Sequence, residues 1–415
     1  MTTEPTEIIV IGAGIIGVTA ALALRREGHV VRLLDRKGVA AETSRGNAGA
    51  FAFPEVEPIS APRIMRKAPK WLIDPLGPLA IRPGHALKIA PWMLQFWRNS
   101  RPDRFEATIA VQSGLMDHSR AALERLVPLV DGEALLRRDG QLQLYEGRAS
   151  FEASLPSWDR RRRLGIDFSL FENRDAIAEL QPGLNARFTH AGFTPDWLST
   201  VDPALWTEHL AQAFVAAGGI IETADIRALR QDGNGVEVDT AEGPRRAAQV
   251  VLAAGAWSHK LARSLGDRIP LEAERGYNTS FASANVDVRM HLTFGDHGFV
   301  ISRLGDGIRV GGAVELGGLT LPPNYRRAEI LVEKAKAFLD GFDPQGGKQW
   351  MGYRPSLPDS LPVIARAPRA DRVIYAFGHG HLGLTQSAGT AELVADLVAR
   401  RDPRLALAPF DVTRF

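Results

Sequence analysis

The sequence predicts an α/β protein in which a discontinuous Rossmann-like nucleotide-binding domain is interleaved with an α+β domain containing an antiparallel sheet. Three observations predict it. Residues 8–17 read Ile-Ile-Val-Ile-Gly-Ala-Gly-Ile-Ile-Gly, an apolar strand running into a glycine-rich turn and a helix. Residues 270–315 read as a series of short antiparallel strands. A second glycine-rich strand-to-helix turn, Gly378-His-Gly-His-Leu-Gly-Leu-Thr385, lies near the end of the chain.

The first strand, Ile8 to Ile11, leads into a tight turn. Gly12 allows the turn, Gly14 lets the backbone approach a pyrophosphate, and Gly17 lets the helix pack on the strand. Ile15 and Ile16 open that helix, whose amides and positive end suit an anion. The helix runs to Glu27 and stops at Gly28, a residue suited to a left-handed cap. The next apolar run, Val30 to Leu34, delivers Asp35, 21 positions after Gly14, close to the roughly 20-residue offset of a ribose-binding acid. Glu42-Thr-Ser-Arg-Gly-Asn-Ala-Gly49 is polar and rich in small residues, a loop or helix start facing the cofactor.

Residues 54–100 carry eight prolines together with Trp71, Trp92 and Trp97, an irregular insertion ending in a short apolar helix. Helical periodicity follows from Phe105 to Val130, and Gly140 to Tyr145 alternates like a strand. The basic run Arg160 to Arg163 reads as a solvated helix face. A helix over Pro203 to Ala217 has Asp202 as N-cap and Pro203 at its first position, with Gly218-Gly219 ending it. Strands are expected at Ile220 to Thr223 and Gly235 to Thr240, around the turn Asp232-Gly-Asn-Gly235. Val250 to Trp257 reads as one buried parallel strand beside the cofactor, which brings in Ala254, Gly255 and Trp257. Further strands are expected at Tyr277 to Ala282, His291 to Phe294, Gly298 to Arg303, Ile308 to Ala313 and Val373 to Phe377, with a helix at Arg327 to Leu339.

Composition narrows the function. The chain has 415 residues, 50 Lys plus Arg against 48 Asp plus Glu, and no nucleic-acid module. It has no cysteine, which excludes disulfides, Fe–S clusters, cysteinyl zinc, thiol nucleophiles and a cysteine-linked flavin. The first strand begins within ten residues, so no removable signal peptide is expected. No run of about 18 apolar residues occurs, so no membrane span is expected.

The Gly378–Thr385 turn points helix amides at a second anionic group, and a nicotinamide cofactor has no use for it. A flavin does, because its C2 carbonyl and N1 region carries negative charge when reduced. His379 and His381 have a metal-compatible spacing, but no third ligand cluster accompanies them, so no metal is expected. Arg354 suits a bidentate carboxylate clamp or a structural salt bridge, and Tyr277 suits the same carboxylate or a strand face. The residues alone leave both pairs of alternatives open.

Together these segments resemble the FAD-dependent D-amino-acid dehydrogenases, within the wider D-amino-acid oxidase, glycine oxidase and sarcosine oxidase group. The resemblance rests on Ile11 to Gly17, Glu42 to Gly49, Arg275-Gly-Tyr277, Arg309-Val-Gly-Gly312, Gly352-Tyr-Arg-Pro355 and Gly378 to Thr385. The Pro69 to Leu79 stretch is similar to bacterial D-hydroxyproline dehydrogenases. The resemblance implies FAD, bound non-covalently, with its ribose on Asp35. Thr43, Ser44 and Asn47 would lie near the pyrophosphate and isoalloxazine. Gly380, His381, Leu382, Gly383, Leu384 and Thr385 would line the pyrimidine side, and Arg354 would hold the substrate carboxylate, with Tyr277. Arg36, Glu42, Ala48, Gly49, Ile226 and Gly378 complete the expected cofactor set, and His381 joins Arg354 and Tyr277 as a catalytic candidate.

The implied reaction is hydride transfer from Cα of a D-amino acid, D-proline or cis-4-hydroxy-D-proline among them, to flavin N5. The acceptor would be a quinone or respiratory chain, with the protein cytoplasmic and in contact with the inner membrane face. Residues 1–60, 195–268 and 349–415 would hold FAD, and residues 61–194 and 269–348 the substrate. The rival expectations are an oxygen-using glycine or sarcosine oxidase and a flavoprotein subunit that needs a partner.

Overall fold

The computed structural model describes residues 7–62 and 79–415. The Pro69 to Leu79 stretch therefore lies outside the described residues except for Leu79.

The first sheet has six strands in the order Ile220–Thr223, Val30–Asp35, Glu7–Ile11, Gln249–Leu252, Ala370–Phe377, Val363–Ala367. The first five run parallel and the last is antiparallel. Its central strands are apolar on both faces because both faces are buried. Alternate residues enter two different cores. Ile8, Val10, Leu33, Val251 and Ile374 pack against the helices Ile15–Arg26, Pro203–Ala216 and Gly383–Ala399. Ile9, Ile11, Leu34, Leu252 and Tyr375 pack against the antiparallel strands Ile226–Asp232, Gly235–Thr240 and Gly243–Ala247 and the helix Ser258–Ser264.

The second sheet takes the order Lys348–Ser356, Glu272–Phe281, Gly307–Leu316, Phe299–Leu304, His291–Phe294, Gln141–Glu146, Phe188–Thr194, Ser169–Phe171, with Leu79–Ile81 beside Gly307–Leu316. Its pairings are antiparallel apart from two parallel contacts. One face buries Phe281, Leu292, Ile301 and Val310 against the helix Arg326–Phe338. The other face carries Glu274, Asn278, Arg309, Gly311 and Arg354 and floors a cavity. Lys348–Ser356 is an edge strand of this second sheet, across the boundary at residue 349 that the sequence suggested.

Several expected elements have different bounds. The run from Val250 is a strand only to Leu252, because Gly255, at φ +53°, turns the chain into a short helical turn. The turn at Asp232–Gly235 joins Gly235–Thr240 to Ile226–Asp232, a strand the sequence reading missed. The basic run is only half solvated. Arg160 pairs with Glu57 at 2.9 Å, and Arg161 is buried over the Trp158 ring with Glu55 at 3.6 Å. These two arginines tie the helix Gly147–Arg163 to the 55–57 segment. Among the described residues no helix is long and apolar enough to cross a membrane, and no cluster of three or more acidic or histidine side chains could hold a metal ion.

Candidate active site

Two cavities of about 310 Å³ and 540 Å³ meet along Ile15, Thr43 and Ser44. Each is of ligand-pocket size. The smaller lies over the ends of the parallel strands, where the strand order reverses on either side of Glu7–Ile11. Its glycine turn is built for close approach. A Cβ on Gly12 would sit 2.4 Å from the Ala253 carbonyl oxygen, and one on Gly17 would sit 1.8 Å from the Gly12 carbonyl oxygen. The helix Ile15–Arg26 has no acidic residue in its first turn, so its positive end is uncompensated there. Ser44 Oγ accepts from the Ile15 N–H at 2.8 Å, which leaves the hydroxyl proton free for an anion.

Asp35 stands at the strand end. One oxygen accepts from Ala13 N at 2.8 Å and the other from Lys37 N at 2.7 Å. The oxygen bonded to Lys37 also accepts from Gly38 N at 3.1 Å, so the oxygen bonded to Ala13 is the one that keeps a further lone pair for a hydroxyl. Arg36 stacks 3.9 Å over the Trp257 ring and pairs with Glu42 at 2.7 Å. Ile226, Ala254 and Gly255 complete this wall. Glycines without room for a Cβ, a free helix terminus, a carboxylate and a flat stacked wall together fit an extended dinucleotide.

The larger cavity lies between the second sheet and the turn from Gly380 to Leu384. Thr43 donates to the Tyr353 carbonyl at 2.8 Å, and Asn47 bridges Ser44 O and Gly49 N. These bonds fix the 42–49 loop, and Ala48 reaches the cavity with Asn47. Arg354 reaches in from Lys348–Ser356. Its Nη1 donates to the Ala313 carbonyl at 3.3 Å, and among the described residues no carboxylate lies within 4 Å to form an ion pair with it. Gly276 makes the space, since a Cβ there would meet Arg354 Nη2 at 2.5 Å. Burial lowers the Arg354 pKa, and Glu274 on the adjoining strand opposes that shift. His381 has accessible surface, but it opens into this cavity. Its pKa is lowered to about 4, first by desolvation and then by the Arg354 charge, so the imidazole is neutral near pH 7.

Three of the expected residues do not border either cavity. Gly17 packs on the Gly12 turn, Gly49 caps the Asn47 side chain, and Thr385 accepts from Ala52 N at 3.0 Å. Gly378 borders the smaller cavity at φ +87°. His379 is buried against Thr390 at 2.9 Å, and burial lowers its pKa to about 3, so it is a neutral packing residue.

Tyr277 borders the larger cavity, but its hydroxyl is engaged within the protein. Its hydroxyl donates to Glu315 at 2.9 Å and accepts from Asn324 N at 3.0 Å, which leaves nothing to offer a substrate carboxylate. Arg275 belongs to the same buried network. It bonds Glu315 and the carbonyls of Gly317, Gly318, Leu321 and Pro322, and so pins the 317–324 loop. Tyr277→Phe is therefore expected to lower stability by about 1–2 kcal/mol while leaving KM within about twofold. Thermal unfolding and steady-state kinetics on one preparation check both halves.

Glu274 and Asn278, and Arg309 of the Arg309-Val-Gly-Gly312 segment, had no site role in the sequence reading, yet all three are buried and border the larger cavity. Asn278 donates to the Gly46 carbonyl at 2.7 Å. Arg309 donates to Ser280 at 2.8 Å and to the Asn47 carbonyl, and burial lowers its pKa to about 10. The available signal was period two. Glu274, Gly276, Asn278 and Ser280 share one face of a strand.

A strand-turn-helix site for a dinucleotide, joined to a second cavity over an antiparallel sheet, defines a two-part cofactor-and-substrate enzyme. Residues 7–397 match the family described as FAD dependent oxidoreductase, and the chain belongs to that family. The chain is 35% identical to a D-amino-acid oxidase of Bradyrhizobium diazoefficiens over 427 aligned residues, covering 99% of each chain. It is 34% identical to a D-amino acid dehydrogenase of Sinorhizobium medicae, covering 99% of this chain and 100% of the relative. Among solved structures, glycine oxidase from Geobacillus kaustophilus superposes with a TM-score of 0.76 at 20% identity over the whole of both chains, a likeness of fold.

Proposed function

We propose that the protein oxidises D-amino acids at Cα, using FAD held non-covalently. One observation carries this reading: Arg354 is a cavity-facing guanidinium with no ion-pair partner within 4 Å among the described residues, beside the Gly380–Leu384 turn. A guanidinium in that position suits a carboxylate bonded through two parallel N–H groups. The D-amino-acid names of the two relatives support the substrate class.

FAD, when bound, supplies the two-electron acceptor for the hydride leaving Cα. The chain supplies position and charge. Asp35 would accept from the adenosine ribose, and Ser44 with the Ile15–Arg26 helix terminus would hold the pyrophosphate. The Gly380–Leu384 turn would aim its amides at the flavin's pyrimidine edge, with neutral His381 adding no second positive charge beside Arg354. Arg354 would fix the substrate carboxylate and so the direction of the Cα–H bond. In this reading residues 1–60, 195–268 and 349–415 serve FAD and residues 61–194 and 269–348 the substrate, except that the strand Lys348–Ser356 belongs to the second sheet and carries Arg354 to the substrate side.

Leu79, Trp92, Met93, Phe96, Val314 and Leu316 give the cavity an apolar wall. That wall favours a cyclic apolar side chain such as that of D-proline, and cis-4-hydroxy-D-proline shares the same ring. The expected result is faster flavin reduction by D-proline than by D-alanine, and a D-proline rate no higher than the D-alanine rate would reject this preference. Leu87, Leu94 and Trp97 are exposed on the helix Ala86–Asn99, and their spacing puts them on one side. They support an apolar contact at a membrane face and a quinone acceptor. Reoxidation by oxygen as fast as by a quinone, with stoichiometric peroxide, would instead make the protein an oxidase.

A further inference from the structure

The substrate of the reading above is a zwitterion, and the site holds a matching pair of opposite charges. Glu274 lies on Glu272–Phe281 directly opposite Arg354 on Lys348–Ser356. Opposed residues of an antiparallel pair have Cα atoms about 4.5–5.5 Å apart. Glu274 is 4% exposed and borders both the larger cavity and a small adjoining one of about 10 Å³. The small cavity has about the volume of one water and is also bordered by Ser356 and His381. Among the described residues Glu274 Oε2 and Ser356 Oγ are buried without a well-formed hydrogen bond, although Ser356 lies close enough to Glu274 to favour its charged form. A buried carboxylate oxygen left unpaired beside a cavity is costly unless a ligand or water meets it.

We propose that Glu274 receives the ammonium group of the substrate and takes its proton before the Cα–H bond breaks. This rests on the D-amino-acid reading. The charges then pair in register, substrate carboxylate on Arg354 and substrate ammonium on Glu274. In the step, one N–H bond of R–NH3+ breaks with its electron pair staying on nitrogen, and an O–H bond forms on the Glu274 carboxylate. The products are R–NH2 and a neutral carboxyl group. The freed lone pair would form the C=N bond of the iminium product as hydride leaves Cα, with FAD, when bound, supplying the two-electron acceptor. The small cavity offers a route by which the proton leaves Glu274 through water toward Ser356.

The groups around Glu274 are few. Glu272 on its own strand is tied to His85 at 3.0 Å. Arg354 faces it from one neighbouring strand, while Glu315 on the other is held by Arg275 and Tyr277. His379 and His381 lie on the turn and are neutral near pH 7, and Glu57 is paired with Arg160. Burial pushes the Glu274 carboxyl above the usual carboxylate range, Arg354 and then the Ser356 hydroxyl pull it back, and Glu272 adds a smaller upward push. The acid limb of kcat/KM should therefore lie above the range of an ordinary carboxylate, with activity lost as pH falls through it.

The test compares FAD-loaded wild type with Glu274→Gln and Glu274→Asp by anaerobic flavin reduction with D-alanine between about pH 6 and 10. Propionate binding, read as a flavin spectral shift, reports the carboxylate site alone. The expected Glu274→Gln loss is on the order of 10²-fold or more at neutral pH, shrinking to within about threefold above the pKa of the free amine, with propionate binding unchanged. Glu274→Asp should keep the wild-type profile at reduced rate. A Glu274→Gln profile parallel to wild type would overturn the proposal. If Glu274→Gln does not retain FAD, the wild-type profile decides: kcat/KM rising all the way to the amine pKa overturns the proposal, and a plateau beginning well below it supports it. Wild type reduced by no D-amino acid would reject the underlying reading, and the proposal with it.

Discussion

Arg354→Lys is expected to lower kcat/KM for a D-amino acid by on the order of 10²–10³-fold, with FAD affinity within about twofold of wild type. Lysine keeps the charge but loses the planar fork that grips both carboxylate oxygens. The loss should therefore appear in KM and in kcat, because a carboxylate held at one point leaves the Cα–H bond free to swing. The site is shaped for arginine specifically. Gly276 is bare where a Cβ would sit 2.5 Å from Nη2, and the Ala313 carbonyl steadies Nη1 at 3.3 Å. Steady-state kinetics with a flavin-fluorescence titration separate the two quantities. A variant that bound substrate normally would show that the carboxylate lies elsewhere.

Gly17→Ala is expected to cost FAD binding outright, and the protein should purify without its cofactor. A Cβ there meets the Gly12 carbonyl oxygen at 1.8 Å and Ala253 Cβ at 3.5 Å. The first contact is with backbone, so no side chain can swing aside. The helix Ile15–Arg26 would have to lift off the turn it closes, which carries its amides away from the pyrophosphate. Overpacking of this kind costs about 1–3 kcal/mol in stability as well. Gly28→Ala is the control. Gly28 has φ +91° but open space around it, so the strain stays local at the helix end and FAD binding should survive. Absorbance per mole of purified protein reads both variants.

These two residues also mark how far the sequence could be read. Gly17 was legible because its whole context is local: a strand, a turn, a helix and Asp35 in one run of residues. The apolar runs at residues 8–11, 30–34 and 250–252 were legible because a parallel strand buried on both faces has no polar side to hide. Arg354 was legible as a candidate, but its alternative as a salt-bridge residue could be weighed only against the positions of the carboxylates among the described residues. Glu274 and Tyr277 were not separable. They lie three positions apart across a register shift in the strand, and alternation says which residues share a face, not which face meets the cavity. Both border the cavity, but the Tyr277 hydroxyl is tied to Glu315 and Asn324, while Glu274 lies opposite Arg354. The Arg160 to Arg163 run was misread for a similar reason: charge density looks solvated until Glu55 and Glu57, about 100 residues earlier, fold beside it.

FAD in this site is proposed to take its electrons from a D-amino acid whose carboxylate sits on Arg354. The most direct measurement is an anaerobic titration of the FAD-loaded protein with D- and L-alanine and D- and L-proline, following the visible flavin absorbance. Bleaching by the D-forms and none by the L-forms is expected, with Arg354→Lys needing far more D-substrate for the same effect. Bleaching by the L-forms alone, or by none of the four, would contradict it.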